Sequence, residues 1–124
     1  TLERIYEIFP ILRERRKIRG TLLSGGEQQM LAFARALATQ PLLLLCDEPS
    51  EGLAPRIVAQ VGEILQTLKR DGIAILLAEQ NLELTLAVAD MIAVIEDGQI
   101  VWRGTAAELE ANQVVQTTYL GVAV

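Results

Sequence analysis

The stretch "LLSGGEQQMLAFARAL", residues 22 to 37, sets a polar hexapeptide with two glycines directly before an apolar run. Ser24 is followed three residues later by Glu27, the pattern of a reciprocal cap at a helix start. Met30, Leu31, Ala34, Leu37 and Ala38 then recur on one helical face, and the run ends before Pro41. The first N–H groups of a helix lack backbone partners, and the helix dipole makes that end positive. Glycines there let a ligand approach the backbone closely, and a serine hydroxyl adds a donor. Such an end suits an anion, best a phosphate. Taken alone, Ser24 and Glu27 read first as an ordinary cap after a loop, because such caps are common.

The neighbours on both sides bear on that choice. Upstream, "LERIYEIFPIL" has helical spacing and stops near Pro10, and the basic run at 13–19 reads as a solvated turn or short helix. Downstream, "LLLLC" (42–46) reads as a buried strand running into Asp47, Glu48 and Pro49. Pro55 opens a helix with Ile57, Val58, Val61, Ile64, Leu65 and Leu68 on one face, stopped by Asp71 and Gly72. "IAILLAE" (73–79) is a second buried strand, and 82–89 a short helix. Strand, helix and strand form a βαβ unit with parallel strands. Two more strand-like runs flank Asp97-Gly98, a strong hairpin signal. Thr105 and Glu108 repeat the cap pattern before one or two terminal helices reaching Tyr119.

Adjacent carboxylates at the carboxyl end of a buried strand lie where open α/β sheets bind ligands. Asp47 can hold Mg²⁺ through its water shell, and Glu48 can orient or deprotonate a water. An isolated Asp-Glu-Pro is as readily a plain strand-to-turn transition.

Composition sets outer bounds. A chain of 124 residues that is 51% hydrophobic and 4% aromatic fits one small globular domain rich in aliphatic strands. Sixteen acidic against eleven basic residues argue against a nucleic-acid surface, the run at 13–19 being the local exception. One cysteine and no histidine leave no disulfide and no structural zinc site. Cys46 reads as a small core hydrophobe, and Trp102 as packing on the hairpin. No apolar run approaches the length of a membrane span.

The combination of "LSGGEQ" (Leu23, Ser24, Gly25, Gly26, Glu27, Gln28) with "LLLLCDEP" resembles the ATP-binding cassette ATPases, as their signature and their Walker B strand with the following glutamate. "SEGLA" (Ser50, Glu51, Gly52, Leu53, Ala54) sits at the family's D-loop and "AEQN" (78–81) at its switch loop. With the terminal "TTYLG", these stretches are similar to an ATP-binding subunit of the branched-chain amino acid importers. Urea importers of the same lineage stay open, as do a non-transport cassette acting on nucleic acid or ribosomes and a non-catalytic fragment. Gln80 occupies the place of the switch histidine, and Ala54 falls where many D-loops carry Asp.

The resemblance implies an α/β fold of P-loop NTPase type, a parallel sheet flanked by helices. It assigns residues 1–40 to the helical subdomain and signature helix, 41–96 to the Walker B and switch-loop βαβ part, and 97–124 to the second hairpin strand and terminal helices. The only lysines, Lys17 and Lys69, fit no G-x-x-x-x-G-K-[ST] pattern. The sequence therefore looks like the C-terminal half of one cassette, inactive alone. In the family, the strand bearing the P-loop lies between the strands at 73–79 and 91–96, so the sheet is expected to be split. ATP and Mg²⁺ are the implied cofactors. Glu48 and Gln80 are the implied catalytic residues, Asp47 the Mg²⁺ ligand, and the signature serves the nucleotide of a second ATPase subunit. Permease subunits and the cytoplasmic face of the inner membrane complete the picture, with no nucleic acid.

Overall fold

In the computed structural model, which describes residues 1–123, the Thr1 hydroxyl accepts from the Arg4 N–H and caps α1 (Leu2–Ile8). The helix stops before Pro10 as expected, with Phe9 as its C-cap. Pro10 begins a second helix, α2 (Pro10–Glu14), because a ring without an N–H is tolerated in a first helical turn. The chain then turns through exposed residues 15–19 and a short 3₁₀ turn, Gly20–Leu22, into α3 (Gly25–Leu37). β1 (Leu43–Asp47), α4 (Pro55–Arg70) and β2 (Ala74–Ala78) follow in the expected βαβ order. Next come α5 (Leu82–Val88), β3 (Met91–Glu96), β4 (Gln99–Thr105), α6 (Ala106–Glu110) and α7 (Gln113–Tyr119).

The chain divides into two compact units, residues 1–78 and 79–124.

In the first unit β1 and β2 pair in parallel, with Leu43 opposite Ala74 and Asp47 opposite Ala78. α4 lies against β2 and buries Val61, Gly62, Ile64, Leu65 and Leu68. Val61 and Leu65 are fully buried, each contributing about 1.5–3 kcal/mol relative to exposure. α3 buries Met30, Phe33 and Ala34, whereas Ala38, expected on that face, is the exposed C-cap. Arg4 of α1 reaches Asp71, the C-cap of α4, at 2.7 Å.

Both strands were expected to be buried, and here the structure differs. Leu44 and Cys46 point into the core, but Leu43 and Leu45 are 52% and 68% exposed and Leu76 is 66% exposed. A continuous apolar run is what a parallel strand covered on both faces needs. In this unit one face is covered, so alternate side chains are left in water. β2 pairs with β1 alone among the described residues, in keeping with the expected split of the sheet.

The second unit is built on the β3–β4 hairpin. Glu96 pairs with Gln99, and Asp97 and Gly98 take φ of 49° and 75°, the left-handed pair that a two-residue turn requires. Val94, Leu109 and Val115 form its core, with Leu82, Leu86, Ile92, Trp102 and Leu120 packed around them. Trp102 lies over Gly104, where an added Cβ would come within 2.6 Å of the indole ring. The second cap is only half formed. The Thr105 hydroxyl accepts from the Glu108 N–H at 3.1 Å, while the Glu108 carboxylate lies beside Gly104.

Candidate functional site

The helix tip at 24–28 is built as the sequence predicts. Ser24 keeps extended backbone, its Oγ accepts from the Glu27 N–H at 3.2 Å, and its N–H donates to Glu27 Oε2 at 3.0 Å. Arg15 Nε donates to the other Glu27 oxygen at 3.3 Å. The Glu27 carboxylate is thus occupied within the cap, and Arg15 offsets its charge at a tip suited to anions. Gln28, at the surface, folds back on the chain, its amide donating to the Leu23 carbonyl at 3.2 Å. The N–H groups of Gly25 and Gly26 have no acceptor within the chain among the described residues. Ser24 and Gly25 are exposed. The Gly25 N–H and the Ser24 hydroxyl are therefore open to solvent at the positive end of a 13-residue helix, with the half-buried Gly26 N–H beside them.

The two glycines differ. A Cβ on Gly25 would meet nothing within 4 Å. One on Gly26 would sit 3.1 Å from Ile57 Cγ2. Gly26 is therefore small because the tip of α3 abuts the first turn of α4. Gly25 has no such reason in the fold, and its openness keeps the approach to the backbone clear.

Asp47 ends β1 and is exposed. Glu48 follows at φ 45°, a left-handed conformation that is strained for a residue with a side chain, and its N–H donates to the Ala78 carbonyl at 2.8 Å. The sequence held no signal for that strain, since Glu has no preference for the region. After buried Pro49 and Ser50 the chain folds back. Glu51 N–H donates to the Glu48 carbonyl at 3.1 Å and Leu53 N–H to that of Ser50 at 3.2 Å, with Gly52 at φ 70°. Residues 48–53 thus form a tight double turn, and Ala54 leads from it to Pro55 and α4, whose Ile57 meets Gly26. The structure thus sets the helix tip against the first turn of α4, directly after this turn.

Gln80 stands in the second unit, two residues past Ala78, and is exposed. Its flanks are fixed. The Asn81 N–H donates to Glu79 Oε2 at 2.9 Å, and Asn81 Oδ1 accepts from the Leu84 N–H at 2.9 Å to cap α5. Asn81 was not singled out as a site residue, although an Asn directly before an apolar helical run is a legible cap.

No cluster of three or more Cys, Asp or Glu suited to a metal occurs among the described residues. Mg²⁺ needs no such cluster, since it is commonly held by one or two carboxylates, its own waters and phosphate oxygens. An exposed Asp47 suits such a contact, and the open tip of α3 suits a nucleotide phosphate. Behind Asp47, Cys46 is buried, and burial pushes its thiol up to about 11, so it is neutral and inert at neutral pH. No helix among the described residues is long and apolar enough to cross a membrane.

Comparison with known proteins agrees with this geometry. The profile of the family described as ABC transporter matches residues 2–51. The high-affinity branched-chain amino acid transport ATP-binding protein BraG of Pseudomonas aeruginosa is 48% identical over 120 residues, covering 97% of this chain and 52% of the relative. The ATP-binding cassette MJ1267, in its ADP conformation, superposes with a TM-score of 0.78 at 28% identity, over 97% of this chain and 50% of that one. The dimeric cassette MJ0796 bound to ADP and Pi superposes with a TM-score of 0.62 at 28% identity, over 69% of this chain and 37% of that one. The chain spans about half the length of BraG and of MJ1267. By sequence and by fold, the chain belongs to the ATP-binding cassette family of ABC transporter ATPases.

Proposed function

We propose that the chain forms the later half of an ATP-hydrolysing subunit of an importer, with branched-chain amino acids as cargo. The observation that carries this reading is the 48% identity to a branched-chain amino acid transport ATP-binding protein across 97% of the chain. Within it, residues 1–40, 41–96 and 97–124 take the helical-subdomain, Walker B and C-terminal roles. Asp47 holds Mg²⁺ through water, and Glu48 orients the attacking water for in-line phosphoryl transfer. Gln80 gives the γ-phosphate a neutral hydrogen bond, because an amide cannot become cationic as a histidine can.

The tip formed by Leu23, Ser24, Gly25 and Gly26 binds the nucleotide of a second ATPase subunit, with Glu27 and Gln28 holding its shape. Residues 50–54 lie along the same interface. The dimeric assembly of MJ0796 with ADP and Pi supports a two-subunit arrangement. Each phosphate then meets donors from both subunits, which stabilise the charge that develops in the transition state. Permease subunits couple this work to transport at the cytoplasmic face of the inner membrane, without nucleic acid.

Residues 1–124 contain no P-loop pattern, so they should not turn over ATP alone. Joined to a P-loop half, the chain should hydrolyse ATP, and Glu48→Gln should lower kcat by about 10²-fold or more. Hydrolysis by residues 1–124 alone, abolished by Glu48→Gln, would overturn the division of labour.

A further inference from the structure

Charge is unevenly spread along the chain. Residues 13–19 hold five basic side chains and one acidic, whereas the remaining positions hold six basic and fifteen acidic. Two of the five cations are ion-paired, and a third, Arg16, donates from Nη1 to the Arg13 carbonyl at 3.1 Å. Arg13 pairs with Glu3 and lies 5.3 Å over the Tyr6 ring, and Arg15 pairs with Glu27. Arg16, Lys17 and Arg19 are exposed, and none forms an ion pair among the described residues. The same loop exposes two branched apolar side chains, Ile18 at 40% and Leu22 at 73%. Its backbone is fixed by Ile18 N–H to the Arg15 carbonyl at 2.8 Å and Leu22 N–H to the Arg19 carbonyl at 2.9 Å.

Three unpaired cations within four residues repel one another, and nothing in the first unit's packing calls for them. Two exposed branched side chains beside them are also unfavourable in water. An anionic bilayer surface relieves both. Its phosphates pair with the cations, and the apolar groups enter the interfacial layer while long basic side chains reach back to the headgroups. A nucleic-acid strand would use the cations but leave Ile18 and Leu22 in water.

We infer that loop 15–22 docks on an anionic lipid surface, with Arg16, Lys17 and Arg19 on headgroup phosphates and Ile18 and Leu22 in the interfacial layer. This deepens the peripheral membrane placement proposed above. Its test uses neither nucleotide nor partner subunit, so it can fail while that placement stands.

The full chain is sedimented with vesicles of phosphatidylcholine alone and of phosphatidylcholine mixed with phosphatidylglycerol. Salt is set near ~0.1 M, so that charges beyond ~10 Å are screened. Three cations should favour the mixed vesicles by about a hundred-fold. Reversing all three (Arg16→Glu, Lys17→Glu, Arg19→Glu) should abolish that preference. Ile18→Ser with Leu22→Ser should weaken binding to mixed vesicles by roughly ten-fold. The same charge change elsewhere (Arg35→Glu, Arg56→Glu, Arg103→Glu) should shift it by less than about three-fold. All these positions lie outside the buried core, and circular dichroism confirms that each variant folds. Equal binding to neutral vesicles, or equal loss in the distant reversal, overturns the inference. So does tighter binding to a DNA duplex that ignores the Ile18 and Leu22 changes.

Discussion

Gly25 and Gly26 are adjacent, share a helix turn and look alike in the sequence, yet replacing each by alanine should move stability in opposite directions. Alanine is favoured over glycine by about 1 kcal/mol in a helix interior and by less in a first turn. At Gly25 the new methyl meets nothing within 4 Å, so that gain should survive: up to about 1 kcal/mol. At Gly26 the methyl would sit 3.1, 3.3 and 3.4 Å from three carbons of Ile57. Ile57 is half-buried in the first turn of α4, and its side chain would have to shift by a few tenths of an ångström to make room. Overpacking of this kind costs about 1–3 kcal/mol, which exceeds the propensity gain. Gly26→Ala should therefore destabilise, and adding Ile57→Ala should recover at least about 1 kcal/mol as a coupling energy between the two sites. Urea unfolding followed by circular dichroism reads all five species: the parent, Gly25→Ala, Gly26→Ala, Ile57→Ala and the Gly26→Ala/Ile57→Ala double variant. In the intact ATPase the order should invert for function, since a methyl at Gly25 occupies the path of an incoming phosphate. Gly25→Ala destabilised by more than about 1 kcal/mol, with no loss of ATP-dependent subunit association, would refute the reasoning. It would mean that Gly25 serves the fold and not a ligand.

Other outcomes follow from the same geometry. Leu65→Ala should cost about 2–5 kcal/mol in urea unfolding, since Leu65 is fully buried on the inner face of α4. Glu48→Gly should be more stable than Glu48→Ala by about 1 kcal/mol, because only glycine holds φ 45° without strain, while both lose hydrolysis in the intact ATPase. Cys46 should resist thiol reagents at pH 8 until the chain unfolds. Its pKa is raised by burial from 9.0 to about 11, so its contribution to stability is complete below pH 9 and is lost as pH rises from 9 to 11. A Cys46→Ala variant, compared with the parent across that window, isolates this contribution.

Local rules carried the sequence reading where the answer was local. The cap at Ser24 and Glu27, the proline start of α4, the Asp97-Gly98 turn and the face of α4 through Val61, Leu65 and Leu68 each follow from a few neighbouring residues. Pro10 marked the end of α1 correctly, but that the same proline also begins α2 was not legible, because nothing nearby says that a second helix follows. Strand burial was illegible for another reason. Leu43, Leu45 and Leu76 are written for a sheet covered on both faces, and one chain's sequence does not say which cover is present. At the candidate site the residue types were legible but their postures were not. That Arg15 joins Ser24 in holding Glu27, that Glu48 is strained, and that Gly26 is packed on Ile57 while Gly25 stays open depend on residues farther along the chain.

The central claim is that the tip at Ser24 and Gly25 serves one nucleotide while Asp47 and Glu48 of the same subunit serve another. Mixing two inactive variants of the intact ATPase tests it directly, Gly25→Arg in one subunit and Asp47→Asn in the other. If the site is shared, each mixed dimer regains one complete site, and random pairing restores about a quarter of the parent's ATP turnover. If tip and acids serve the same nucleotide within one subunit, neither partner can repair the other, and turnover stays at the level of the separate variants.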